Sequence, residues 1–286
     1  MRRAAAALLA LALWLAPPAA DAADAAAGAA PPAPAPAQVV RVCGQVAEWP
    51  PYLYFRRDGA ARTDEVVGFS AEYLRRALVG AGLRYRIDML PWKRCLESVR
   101  LGGHDMLTDA ASNAERERAY LVSKPYYAMH LAYFYDKARP HPPVRAAADL
   151  KKLRLCAVNG YNYAAFGLVA EQMEAGSQNL AQSFLKLKMN RCDALPERLE
   201  IALGYQSLGI VDFARLDIGY ELLAELPPST FHMMVSRRAP HAEELLRVLN
   251  EQIELLNSGD GAREIAAKYA VQLPPLPGQA AKPAKK

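Results

Sequence analysis

The 286-residue chain predicts an α/β protein of two lobes, each a mostly parallel sheet flanked by helices, with a hinge that the chain crosses twice. Three observations predict it. Apolar runs alternate with helix-period stretches from Val39 to Thr108, the rhythm of parallel strands under covering helices. The same rhythm restarts at Leu153. A further strand then follows Pro227-Pro228 and returns the chain to the first lobe.

In order, Val39 to Cys43 reads as a β-branched strand, followed by a loop with Trp49-Pro50-Pro51-Tyr52. Phe69, Tyr73, Leu74, Ala77, Leu78 and Ala81 recur at three- and four-residue steps, which predicts a helix over Ser70 to Val79 that ends near Gly80 and Gly82. A strand over Arg84 to Leu90, a helix over Lys93 to Leu101 and a strand over Asp105 to Thr108 complete the set. His130 to Tyr135 is read as a strand ending the first pass through lobe one. The second lobe is predicted as a strand over Leu153 to Val158, helices over Tyr163 to Met173 and Leu180 to Met189, a strand near Asp193 to Leu195, and a helix over Glu197 to Tyr205. The strand Phe231 to Val235 and two helices close the fold. The resulting boundaries are 39–136 for lobe one, 137–227 for lobe two and 228–271 for the return segment.

The ends read differently. Arg2 and Arg3 precede an apolar run from Ala4 to Ala16 and small residues through Ala23, the order of a secretory signal peptide over 1–23. At thirteen residues the run is short of the ~20 that a membrane-spanning helix needs. Residues 24–38 are an Ala/Pro linker and 272–286 a basic tail. The net charge of +5 resides in Arg2, Arg3, Lys282, Lys285 and Lys286, offset in part by Asp21 and Asp24, so no basic face argues for nucleic acid.

Four cysteines in an exported chain favour disulfides. Three pairings are possible, and Cys43–Cys95 with Cys156–Cys192 is preferred because it places one bond in each lobe and leaves the hinge free. The chain has no Cys-x-x-Cys, and its five histidines are scattered. No metal and no cofactor are expected.

Several ordered stretches resemble the extracellular solute-binding proteins of family 3, the polar amino-acid uptake family. They are Gly68-Phe69-Ser70-Ala71-Glu72-Tyr73-Leu74, Gly103-His104-Asp105, Glu115-Arg116 with Ser123-Lys124-Pro125-Tyr126, Asn159-Gly160-Tyr161-Asn162-Tyr163, Asn190-Arg191-Cys192-Asp193-Ala194, and Ser258-Gly259-Asp260-Gly261 with Lys268-Tyr269. Pro91-Trp92 with Arg94 and the cysteines mark a divergent branch. The resemblance covers most of 40–270. It implies a type II periplasmic-binding-protein-like fold, an exported monomer in the periplasm, and delivery of a small carboxylate-bearing ligand, an amino acid by the family's habit, to an ABC transporter permease.

It also implies site residues. Arg116, which alone reads as a solvated arginine among Glu115, Glu117 and Arg118, becomes the clamp for the ligand's carboxylate, because its planar fork matches that group. The turn Gly160-Tyr161-Asn162 would offer free amides at a helix start as a second anion site. Glu197 would take the ligand's amino group, or else is a helix-start carboxylate. Tyr52, Trp92 and Tyr126 would form flat apolar walls, and Arg94 a contact to a distal acid. Ser112 and Asn113 would cap the helix carrying Arg116. Two rival functions share this scaffold. One is an accessory protein of another exported system. The other is a dehydratase acting on a cyclic carboxylate, with Glu197 as general acid.

Overall fold

The computed structural model describes residues 39–140 and 143–276; the predicted signal peptide, the linker and most of the basic tail lie outside them. The first lobe opens with β1 (Val39–Gln45), the hairpin β2 (Tyr54–Asp58) and β3 (Ala61–Val67), and α1 (Phe69–Leu74), which runs on as a π-helical segment over Arg75–Val79. Then come β4 (Arg84–Leu90), α2 (Trp92–Arg100), β5 (Met106–Ala110), α3 (Ala114–Ala119), β6 (Tyr120–Val122) and β7 (Tyr127–Met129). The second lobe holds β8 (Leu131–Asp136), β9 (Cys156–Val158), β10 (Glu174–Ser177), α4 (Leu180–Lys188), β11 (Leu195–Arg198), α5 (Leu199–Ser207) and β12 (Ile218–Leu222). Then β13 (Ser229–Ser236) re-enters the first sheet, followed by α6 (Ala242–Ser258) and α7 (Gly261–Lys268).

The first sheet has the order β4-β1-β5-β13-β6, with β7 also on β13. Its β4, β1 and β5 run parallel, and β13 is antiparallel to its neighbours. Alternation along β1 sets both faces. Val40 and Val42 join the core with Leu74, Leu78, Leu249 and Ile253. Cys43 faces the other way, under Cys95 and Val99 of α2. Each such apolar side chain contributes about 1.5–3 kcal/mol on burial.

Four expectations need correction. The chain leaves the first sheet at His130, not near residue 136, because β8 pairs antiparallel with β11 and β12. That pairing also makes the second lobe mixed rather than mostly parallel; its parallel part is β9 with β10, plus the Leu155–Ala194 bridge. The predicted helix over Tyr163 to Met173 is two short 3-10 turns, Ala164–Phe166 and Ala170–Gln172. Gly167, left-handed at φ 66°, ends the first turn, and the Tyr163 hydroxyl accepts the Val158 amide at 2.8 Å. Finally, the helix expected from Glu197 begins at Leu199, since β11 extends through Arg198. Pro196 fits there because β11 is an edge strand.

Disulfides join Cys43 to Cys95 and Cys156 to Cys192, the first tying β1 to α2 and the second anchoring β9. Neither crosses between lobes. The lobes meet instead through α5 and the Trp49–Pro51 loop: the Tyr205 hydroxyl donates to the Ala47 carbonyl at 2.6 Å. Next to it, a Cβ on Gly204 would stand 2.2 Å from the Pro50 carbonyl oxygen. Among the described residues no helix is long and apolar enough to cross a membrane.

Two outcomes are expected. Replacing Cys156 and Cys192 together with serine should lower unfolding stability by about 2–4 kcal/mol, read from denaturant titration, without altering the other lobe's bond. Gly204→Ala should penalise lobe closure by about 1–3 kcal/mol through overpacking. Small-angle scattering should therefore report a larger radius of gyration than for the parent; an unchanged radius would remove this contact from the closure.

Candidate functional site

Between the lobes lies a small inner cavity of about 30 Å³, room for about one or two waters. Its first-lobe wall is Gln45, Trp49, Leu53, Trp92, Thr108, Asp109, Ala111 and Arg116, with Phe231 of β13; its second-lobe wall is Tyr161, Asn162 and Arg198. Outside it, and sharing Arg116, Tyr161 and Asn162, a groove of roughly 720 Å³ runs between α2 and the segment 159–175.

Arg116 reaches this cleft because Asn113 starts α3 where it does. The Asn113 side chain accepts the Arg116 amide at 2.8 Å, a side-chain N-cap, while Ser112 instead donates to Glu117 at 2.8 Å. The Arg116 residue is 8% exposed. Its Nη1 donates to the Ala111 carbonyl at 2.7 Å, and its Nη2 crosses the cleft to the Gly160 carbonyl at 3.1 Å. Its guanidinium carbon lies 5.6 Å from the Trp92 ring centre. No carboxylate among the described residues forms an ion pair with it. Burial, with the nearby Arg198 cation second, lowers its pKa to about 10, so it remains charged at neutral pH.

The Gly160 turn is brought to the cleft with its polarity reversed from expectation. No α-helix follows it, only the 3-10 turn Ala164–Phe166, so the helix start on which the expected amide site relied is missing. The Gly160 carbonyl faces Arg116 and also accepts Trp92 Nε1 at 3.0 Å. Gly160 sits at φ 81°, and a Cβ there would stand 2.9 Å from Lys93 Cγ, so this close approach calls for glycine. Tyr161 shares a hydrogen bond with Gln45 at 2.9 Å and packs edge-on to Trp49. Asn162 Nδ2 donates to the Ser112 carbonyl at 2.9 Å. These contacts hold the two walls together.

The expected ammonium partner, Glu197, does not line the cavity. It is fully buried in β11, where its Oε1 accepts the Arg198 amide at 2.8 Å, and burial raises its pKa. A strand turns successive side chains to opposite faces, and Arg198 takes the cleft wall instead. The Arg198 residue is 2% exposed. Its Nη2 donates to the Asn162 carbonyl at 2.8 Å, its Nη1 stands 3.6 Å from Glu197, and its Nε has no partner.

Tyr52 is also displaced from its expected role. It is core, stacked on Tyr127 with ring centres 4.2 Å apart. Tyr126 lies one layer behind the wall, and Arg94 is exposed on α2. Only Trp92 of the three predicted aromatics lines the cavity.

Asp109 was not anticipated. It is the last residue but one of β5 and sits in the left-handed region at φ 60°, a conformation costly for a non-glycine residue. Its Oδ1 accepts from Ser70 at 2.5 Å and from Tyr126 and Tyr127 at 2.8 Å each. Thr108 hydrogen-bonds the Tyr126 hydroxyl, and Trp49 donates to that of Tyr127. Its Oδ2 is buried without a partner. Burial raises its pKa, against the pull of these hydroxyl donors. An acid inside an otherwise apolar strand was the available sequence signal for it. No group of three or more His, Cys, Asp or Glu suited to a metal occurs among the described residues.

Residues 42–272 match the profile of the bacterial extracellular solute-binding proteins, family 3. No curated protein matches the chain. Among solved structures it is similar to the arginine-, lysine-, histidine-binding protein ArtJ from Geobacillus stearothermophilus, with 19% identity over 83% of this chain and 97% of that one and a TM-score of 0.65. A substrate-binding protein of a Streptococcus pneumoniae ABC uptake transporter, with bound histidine, shares 18% identity over 81% and 92%, at TM-score 0.64. A histidine kinase sensor domain with similarity to periplasmic binding proteins shares 18% over 83% and 98%, at 0.66. At such identities the likeness establishes the two-lobed periplasmic-binding-protein-like fold. With the profile spanning most of its length, the chain belongs to the bacterial extracellular solute-binding proteins of family 3.

Proposed function

We propose that this protein captures a small carboxylate-bearing solute in the cleft between its lobes, in the periplasm, and presents it to an ABC transporter permease. The observation that carries the reading is the buried Arg116 guanidinium, satisfied by two carbonyls and an aromatic face with no carboxylate among the described residues paired to it. Burying a charge without a counter-ion costs several kcal/mol. A ligand carboxylate offers the paired acceptors that the fork matches.

The inner cavity is too small for such a solute, so the lobes open to admit it. Opening breaks the Arg116 and Trp92 bonds to Gly160, and the ligand then replaces them with contacts to both walls. A ligand held by both lobes favours the closed arrangement by its differential contacts. Glu197 lines neither the cavity nor the groove, so the residue expected to serve a dehydratase as general acid is not at the cleft wall. The transporter role is supported by the family and by the named uptake proteins of the same fold.

A thermal-shift screen of small carboxylates should find ligands that raise the melting temperature in a concentration-dependent way. Arg116→Gln should weaken the best of them by about a hundredfold or more in calorimetry. Equal affinity in both proteins would remove Arg116 from the site.

Asp109 gives a separate pH signature in the empty protein. Its pKa is raised by folding, so above the unfolded value near ~4 the native state holds a proton that the unfolded chain has lost. Stability therefore falls as pH rises, by about 1.4 kcal/mol for each pH unit up to the folded pKa. Asp109→Asn should remove this contribution, so the variant gains on the parent as pH rises through that window; Glu197 leaves a slope of the same sign in both. Parallel stability profiles in denaturant titrations would contradict the buried state of Asp109.

A further inference from the structure

Two buried polar atoms on residues lining the inner cavity lack a hydrogen-bond partner among the described residues: Oδ2 of Asp109 and Nε of Arg198. They have opposite polarity, one an acceptor when ionised and the other a donor. Buried polar atoms are nearly always paired, so orphans of both signs on one cavity point to a ligand that supplies a donor to one and an acceptor to the other. Arg116 adds a third point, with its donors on carbonyls alone.

We infer that the cleft is built for an acidic α-amino acid, with the α-carboxylate on Arg116, the ammonium on Asp109 and the side-chain carboxylate on Arg198. The inference rests on the cleft-binding reading above. The cavity wall carries two guanidiniums and one carboxylate; the ligand carries two carboxylates and one ammonium, so each charge meets its opposite. Glu197 is the other nearby acid; it stays off the wall, turned to the Arg198 amide, and meets Arg198 Nη1 at 3.6 Å, which leaves Nε open toward the cavity's ligand. Three hydroxyls on Oδ1 of Asp109 hold that carboxylate with Oδ2 free for an N–H donor. Trp49 and Phe231 supply apolar surface for the ligand's short methylene chain. A basic side chain would bring a third cation beside Arg116 and Arg198. A neutral one would leave Arg198 Nε without a charged acceptor.

The test is calorimetry on the full chain with L-glutamate, L-aspartate, L-glutamine, L-arginine and glutarate. At least one of the two acidic amino acids should bind about tenfold or more tightly than L-glutamine, L-arginine and glutarate, the worth of one charged hydrogen bond. Arg198→Gln should erase the preference for glutamate over glutamine, and Asp109→Asn the preference for glutamate over glutarate. The ligand comparison is made on the parent protein and does not depend on either variant folding. L-Glutamine or L-arginine binding as tightly as the acidic pair, or glutarate matching them, overturns the inference. If such binding is lost in Arg116→Gln, the cleft reading survives that failure. Binding of none of the five overturns the inference as well, and binding indifferent to Arg116→Gln takes the cleft reading with it.

Discussion

A cation buried between two lobes, with no carboxylate among the described residues paired to it, is the constraint on which the rest of this structure turns. Arg116 bridges Ala111 in one lobe and Gly160 in the other, and closure places it near a second guanidinium, Arg198, from the opposite wall. Two like charges brought together in a poorly solvated cleft oppose the closed state. An anion between them reverses that balance. On the proposed function, binding and closure are linked through this one pair of side chains.

The scaffold serves that pair by keeping each lobe stiff and the boundary between them thin. Each disulfide lies inside one lobe, so it restrains a wall without restraining the hinge. β5 delivers Asp109 near its end and leads through Asn113 into the helix that carries Arg116. In the other lobe, β11 delivers Arg198 from an edge strand. The contacts that hold the walls together are few and polar: Tyr205 to Ala47, Tyr161 with Gln45, Asn162 to Ser112 and Trp92 to Gly160. Such bonds can be exchanged for water or ligand at modest net cost.

Much of the fold was legible because periodicity carries it. Arg84–Leu90 and the amphipathic stretch from Phe69 were readable from spacing alone. Arg116 could be placed only by resemblance, since its charged neighbours make a solvated arginine equally natural from the sequence. The failures share a physical cause, the shift from strand to helix period. The resemblance put Glu197 on the cleft wall, but β11 runs on through Arg198 and the alternation of the strand turns Arg198 there instead. A run of seemingly helical residues after Gly160 was two 3-10 turns. Tyr52 and Tyr126 are core or backing residues, because aromatics near strand ends are filled in from both sides by neighbours distant in sequence. Asp109 escaped notice because its partners, Ser70, Tyr126 and Tyr127, come together only in three dimensions.

Anion-driven closure can be observed directly. All four cysteines are in disulfides, so cysteines introduced at Arg100 and Glu171, exposed residues on opposite rims of the outer groove, can carry spin labels. Pulsed dipolar spectroscopy would then give the distance across the cleft. Adding L-glutamate should collapse a broad distribution to its short-distance component, and Arg116→Gln should abolish that response. A distribution unchanged at saturating concentrations of every small carboxylate tried would contradict the account.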